Sequence, residues 1–139
     1  MQKIGFIGLG RMGAGMALNM LKKNGSLSVY DAHDGAMRPL VEAGAVACHS
    51  PAEMAKTCEL IFMCLPYAPE VRTAIFGDEG IASAKPEGLT IVDTTTLDRT
   101  DALKFADETA ALGIAYWDCP ISGMPFRAKD GTLTVMFGG

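Results

Sequence analysis

The stretch that most constrains this chain is its first fifteen residues. Lys3-Ile4-Gly5-Phe6-Ile7 reads as a short buried strand, Gly8-Leu9-Gly10-Arg11-Met12-Gly13 follows at once, and a helical pattern then begins with Met12, Met16 and Met20 four residues apart. Strand, G-x-G-x-x-G turn and helix is the order that a dinucleotide-binding unit requires. Gly8 permits the tight turn out of the strand. Gly10, lacking a Cβ, lets the backbone approach a pyrophosphate, and Gly13 lets the helix pack close to the strand. The first amides of the helix are unpaired and point at the anion, and the helix dipole adds to the attraction. Glycines alone also mark an ordinary turn, so a second feature matters.

That feature is an acid at the end of the next strand. Ser26-Leu27-Ser28-Val29-Tyr30-Asp31 is strand-like and closes on a carboxylate. Asp31 lies about 20 residues beyond the glycines, where an acid accepts hydrogen bonds from the adenosine ribose hydroxyls. Ala32 follows, not an arginine, so no cation stands there to receive a 2′-phosphate, and Asp31 itself would repel one. The residues favour NAD over NADP, with His33 and Arg38 nearby as the features that pull the other way.

A chain of 139 residues suits one domain with a single sizeable core. Its composition, 49% hydrophobic and 20% charged, is that of a globular protein and not of a disordered one. A net charge of -4 with no basic run argues against nucleic acid as a partner. No apolar run is long enough for a membrane span. Gly5, Gly8, Gly10 and Arg11 break up the N-terminal apolar run too early for a secretory signal, so a cytoplasmic location is expected. Cys48, Cys58, Cys64 and Cys119 lack C-x-x-C spacing, and without export they are expected to be reduced, with Cys64 buried in a strand. The two histidines, His33 and His49, do not pair with cysteines at ligand spacing, so no metal site is expected.

Further along, helices and strands alternate. The first helix runs from about Arg11 to Asn24 and closes on Lys22-Lys23-Asn24-Gly25, and a second covers Gly35 to Ala43 and ends at Gly44. Ala45 to Cys48 is a short strand, and Ser50-Pro51-Ala52-Glu53 is a helix start with Ser as cap and Glu three residues later. Glu59 to Leu65 is almost continuously apolar, as a central parallel strand covered on both faces requires. Pro66 stops it, and the Leu65-Pro66 bend falls at the carboxyl end, where open α/β sheets bind ligands. Glu70 to Phe76 reads as a helix and Leu89 to Asp93 as a fifth strand. Thr94-Thr95-Thr96 then offers hydroxyls suited to a ribose or a nicotinamide amide, or equally to strand propensity and helix capping. Arg99 to Leu112 is amphipathic with Leu103, Ala106 and Ala110 on one face. Ile114 to Asp118 and Thr132 to Phe137 read as two more strands. The alternation implies an α/β fold, a doubly wound and mostly parallel sheet of the Rossmann type, spanning residues 1–139.

Ile4 through Asn19, IGFIGLGRMGAGMALN, resembles the N-terminal signature of the β-hydroxyacid dehydrogenases. A second signature of that family is recognisable in Asp118-Cys119-Pro120-Ile121-Ser122-Gly123, followed by Ala128 and Gly131-Thr132-Leu133. Leu65-Pro66 and Asp93-Thr94-Thr95-Thr96 also match in order and spacing, so the resemblance covers the whole chain. It implies that Gly8, Leu9, Gly10, Arg11, Met12 and Gly13 hold the pyrophosphate of NAD through backbone amides. Asp31 takes the ribose, Leu65 and Pro66 line the cofactor cleft, and Thr96 lies near the nicotinamide ribose. Ser122, Gly123 and Met124 mark the binding site for a small carboxylate-bearing substrate. From residue types alone, Ser122-Gly123 is only a turn.

Two departures stand out. The family usually shows Ser-Gly-Gly, whereas Met124 occupies the third position here, with Arg127 nearby as a further carboxylate partner. The family's general acid/base is a lysine on a helix of a second, all-α domain, which would follow residue 139. Lys129 reads instead as a solvated cation. The resemblance therefore implies the cofactor-binding half of a 3-hydroxyisobutyrate dehydrogenase-like enzyme, homo-oligomeric at full length, which moves hydride between nicotinamide and a small 3-hydroxy acid or semialdehyde. The alternatives are a non-catalytic NAD-binding module and an NADPH-dependent imine or semialdehyde reductase relative.

Overall fold

The computed structural model of the chain describes residues 3–122 and 134–135. Six strands form one parallel sheet: β1 (Ile4–Ile7), β2 (Ser28–Tyr30), β3 (Val46–Ala47), β4 (Leu60–Met63), β5 (Thr90–Asp93) and β6 (Ala115–Asp118). Their spatial order is β3-β2-β1-β4-β5-β6, and every neighbouring pair is parallel. The helices between them are α1 (Arg11–Asn24), α2 (Asp34–Glu42), α3 (Pro51–Thr57), α4 (Ala68–Phe76) and α5 (Arg99–Ala110). The order reverses direction between β1 and β4, and a crevice opens there at the carboxyl ends of the strands.

Alternation along β1 divides the interior. Phe6 faces a core with Ala17 and Leu21 of α1, Val29 of β2 and Leu40 of α2. Ile7 faces the opposite core, with Met54, Ile61, Met63, Ile75, Ile91 and Phe105. Both faces of the sheet are thus covered, which explains why β4 reads as a continuous apolar run.

The local signals act as their chemistry dictates. Ser50 caps α3 by accepting from the Glu53 amide at 3.1 Å, and the Glu53 carboxylate reaches back to the His49 amide at 2.7 Å. Gly25 ends α1 with φ 82°, its amide donating to Leu21 O at 2.9 Å. The buried seam of α1 belongs to Gly13, Ala17 and Leu21, while Met12, Met16 and Met20 lie half-buried beside it. Small residues bring the helix close to the sheet, and the flexible methionines fill its margins.

Several expectations need correction. α4 begins at Ala68 because Tyr67 is the cap and Pro69 sits in the first turn. The buried face of α5 is Ala102, Phe105 and Thr109, whereas Leu103 is 51% exposed and Ala110 is also exposed. Phe105 decides the orientation by packing on Tyr116, with ring centroids 6.4 Å apart. Cys64 is half-buried, not buried, because it lies beyond the end of β4. A short 3-10 turn at Ile81–Ala84 gave no periodic signal. Ile121–Ser122 is a strand, β7, paired antiparallel with β8 (Thr134–Val135), so the last strand does not extend the parallel sheet.

Candidate functional site

A cavity of about 820 Å³ occupies the crevice at the carboxyl ends of β1, β2 and β4. Gly8, Gly10, Tyr30, Asp31, Ala32, His33, Leu65 and Pro66 line it, and Pro51, Glu70, Thr73, Gly77, Asp78 and Glu79 complete its far side. Sequence reasoning did not anticipate the second set. Glu70 and Thr73 belong to α4, which α/β topology carries over the crevice, but nothing in their residue types marks them as lining residues.

The glycine turn explains the opening. Gly8 has φ 98°, in the left-handed region, and its amide donates to Tyr30 O at 3.0 Å. A Cβ at Gly8 would strike the Cys64 carbonyl, and one at Gly13 would strike the Gly8 carbonyl. Gly10 differs: its backbone is ordinary extended, φ -69° and ψ -168°, and a Cβ there would meet nothing within 4 Å. Neither backbone conformation nor packing inside the chain demands glycine at this position. What glycine preserves is open space at the head of α1, which has no side-chain cap and no acid in its first turn. Unpaired helix amides facing such a space form a receptor for an anion, and the residues therefore fit a pyrophosphate.

Asp31 is tied to this turn. Its Oδ2 accepts from the Leu9 amide at 2.7 Å and its Oδ1 from the His33 amide at 2.8 Å. The amides of Gly8 and Leu9 are thus engaged within the protein; Gly10 lines the cavity, whereas Arg11, Met12 and the buried Gly13 lie outside its lining. Leu9 itself is buried in the core behind the turn, Arg11 is exposed and Met12 is half-buried. A carboxylate holds about four acceptor positions, so Asp31 retains capacity for hydroxyl donors from the cavity.

The three threonines after β5 separate into two kinds. Thr94 Oγ1 donates to Met63 O at 2.6 Å, and Thr95 Oγ1 accepts from the Leu65 amide at 3.0 Å; both residues are buried. These hydroxyls tie β5 to β4. Thr96 alone is exposed, and it lies outside the residues lining the main cavity. Ser122 enters as the backbone of β7, whereas Gly123, Met124, Arg127 and Lys129 lie outside the described residues.

Sequence reasoning also missed a buried polar cluster at the ends of β5 and β6. Asp93 is fully buried, with Oδ2 accepting from the Tyr116 hydroxyl at 2.6 Å and Oδ1 from the Thr95 amide at 3.0 Å. Asp118 stands opposite Asp93 in register, and its Oδ1 is buried without a hydrogen-bond partner among the described residues. Burial pushes both carboxyls above the usual carboxylate range and the Tyr116 hydroxyl above its own. The available signal was the A-Y-W-D alternation of β6, which puts Tyr116 and Asp118 on one face. Burial likewise raises the thiols of Cys58 and Cys64, and it pushes Cys48 up to about 11, so none is poised as a thiolate.

A parallel sheet that reverses direction at a glycine turn, with an acid at the second strand, defines a dinucleotide-binding domain of the Rossmann class. The chain belongs to the family described as the NAD binding domain of 6-phosphogluconate dehydrogenase, which matches residues 3–139. It is 40% identical over 136 residues to 2-(hydroxymethyl)glutarate dehydrogenase of Eubacterium barkeri, covering 98% of this chain and 45% of that enzyme. The crystal structure of a 3-hydroxyisobutyrate dehydrogenase from Salmonella typhimurium superposes with a TM-score of 0.90 at 30% identity, covering 99% of this chain and 48% of the other. A reductive aminase from Aspergillus terreus, in complex with NADPH and ethyl-5-oxohexanoate, gives a TM-score of 0.79 at 26% identity, covering 91% of this chain and 42% of the other. The chain thus spans about half the length of the proteins it matches. Among the described residues, no helix is long and apolar enough to cross a membrane.

Proposed function

We propose that this chain is the NAD-binding half of an oxidoreductase of the 3-hydroxyisobutyrate dehydrogenase type, acting on a small 3-hydroxy acid or its semialdehyde. The observation that carries the reading is Gly10, a glycine that neither strain nor packing within the chain requires, standing before the open end of α1. In this reading the pyrophosphate lies over Gly10–Gly13 and the adenosine ribose hydroxyls donate to Asp31. Leu65 and Pro66 form the wall of the cleft. Thr96 stands toward the nicotinamide ribose, and Ser122, Gly123 and Met124 take the substrate carboxylate. The cofactor supplies the hydride chemistry, and the protein supplies orientation and proton transfer.

No lysine lines the cavity among the described residues. The proton-transferring group is therefore assigned to a second, helical domain of a longer two-domain protein, in keeping with relatives about twice this length. That domain would close the substrate end of the cleft.

The cofactor preference follows from charge. Asp31, Glu70, Asp78 and Glu79 line the cavity, and no lysine or arginine does so among the described residues. A 2′-phosphate would enter beside these carboxylates without a cationic partner. NAD(H) should therefore bind at least about tenfold more tightly than NADP(H), a difference of about 1.4 kcal/mol. Calorimetric titration with both cofactors tests this, and Asp31→Ala should narrow the gap. Equal or reversed affinities would favour the NADPH-dependent reductase reading, to which the reductive aminase likeness points. No binding of either would remove the dinucleotide assignment.

A further inference from the structure

Resting on the NAD reading of the cleft, we infer that Asp93 and Thr95 are positioning residues that set the Leu65-Pro66 wall through a buried hydrogen-bond relay anchored by Tyr116. The geometry runs in one direction. The Leu65 amide donates to Thr95 Oγ1 at 3.0 Å. The Thr95 backbone is held in turn, its amide donating to Asp93 Oδ1 at 3.0 Å. Tyr116 on the neighbouring strand donates its hydroxyl to Asp93 Oδ2 at 2.6 Å. Every member behind Leu65 is buried: Asp93 0%, Thr95 1% and Tyr116 9% exposed.

The relay has a job that the strand ladder does not perform. The ladder between β4 and β5 ends with Met63 opposite Asp93, and the Thr94 amide and hydroxyl both close on Met63 O. Beyond that point the chain toward Pro66 has left the sheet while still lining the cavity. A proline follows Leu65, so its nitrogen has no hydrogen to donate. The Leu65 amide is the donor that ties this bend to the next strand, and Thr95 is its acceptor. The Leu65 amide can only donate, so it meets a lone pair of the Thr95 hydroxyl, and Asp93 fixes the residue that carries this acceptor by binding the Thr95 amide. Tyr116 holds the second oxygen, so the acid cannot turn away. Chains of this kind strengthen one another when fully satisfied and are costly when one member is removed.

The decisive variants keep shape and change only hydrogen bonding. Thr95→Val removes the acceptor for Leu65 and should weaken NAD binding about tenfold in calorimetry, while Thr95→Ser, which keeps the hydroxyl, should restore affinity to within about twofold. Thr109→Val is the control. Thr109 is equally buried, its hydroxyl donates to Phe105 O at 2.7 Å within α5, and it lies outside the cavity lining. That variant should lower thermal stability without changing NAD affinity. Should Thr95→Val fail to fold, Tyr116→Phe is read instead, with an expected loss of several-fold in affinity. Wild-type affinity in Thr95→Val, or in Tyr116→Phe where that is the variant read, overturns the relay alone. So does loss of affinity in Thr109→Val equal to that in Thr95→Val. Failure of the wild-type chain to bind NAD overturns the relay together with the reading on which it rests.

Discussion

At the end of β1 the site is made of atoms that are missing: a Cβ at Gly10 would meet nothing within 4 Å, and α1 begins without a side-chain cap. At the ends of β5 and β6 it is made of atoms packed together, with a fully buried Asp93 taking hydrogen bonds from Thr95 and Tyr116. On the proposed reading, the first region receives the cofactor's pyrophosphate. The second is satisfied from within and shapes the cleft through what it holds. The contrast separates two demands on a binding site: open backbone where the ligand's charge sits, and rigid support where the wall must not move.

The same comparison can be drawn inside the glycine turn, where the largest effect is expected. Gly13→Ala places a methyl against the Gly8 carbonyl, a backbone atom that cannot turn aside. The cost should reach the top of the ~1–3 kcal/mol range for added bulk in a packed interior. For a domain of this size that corresponds to a fall in Tm of roughly 10 °C. A thermal melt checks it, and a Tm within about 2 °C of wild type would mean that the helix is free to slide away from the turn. Gly10→Val should do the reverse. The backbone there is extended and the space is open, so the melt should stay near wild type while NAD affinity falls about 100-fold or more, or about 2.7 kcal/mol. Native-like circular dichroism together with normal NAD binding would show that the ligand does not pass over Gly10. The pair breaks the link between glycine as packing and glycine as vacancy.

The two regions also differed in how far they could be read from the sequence. The glycine turn was legible because its demands are local: Gly8, Gly10 and Gly13 and the acid at Asp31 fall at fixed offsets along one strand-turn-helix unit. The positions of α1, α3 and β4 followed from equally local signals, namely the lysines and glycine after α1, the Ser50 cap and the apolar run of β4. The Asp93 cluster was not legible, because its members come from β5 and β6 and meet only through the register that places Asp93 beside Asp118. Before pairing, Thr94, Thr95 and Thr96 are three equivalent hydroxyls. Pairing commits two of them to the sheet and leaves Thr96 exposed. The face of α5 was misread for a related reason: Leu103 and Ala106 fit a helical stripe, but Phe105 found the larger partner in Tyr116.

The smallest expected effect concerns pH, and it sharpens the contrast from the buried side. Burial holds the Asp93 carboxyl above its ordinary range, opposed by hydrogen bonds from Thr95 and Tyr116 and assisted by the neighbouring Asp118. Among the described residues Tyr116 and Cys64 also sense its charge, and burial raises both. In the unfolded chain Asp93 gives up its proton near the usual value for an aspartate; in the folded chain it keeps the proton to higher pH. Within that window the folded state binds more protons, so this residue makes stability fall as pH rises, and its cost is absent below the window. Asp118 acts in the same sense. Half-buried Glu108, whose carboxyl is lowered by the Arg72 guanidinium, acts in the opposite sense, its stabilisation being lost as pH falls. Asp93→Asn removes the first contribution and leaves the other two. Denaturant midpoints of wild type and variant, taken from about pH 4 to about pH 7 across the carboxylate range, should therefore converge or cross in the variant's favour as pH rises. A gap that moves toward the wild type instead would mean that the donors from Thr95 and Tyr116 outweigh burial and hold Asp93 ionised. The packed end of the cleft would then be stabilised by its charge, not in spite of it.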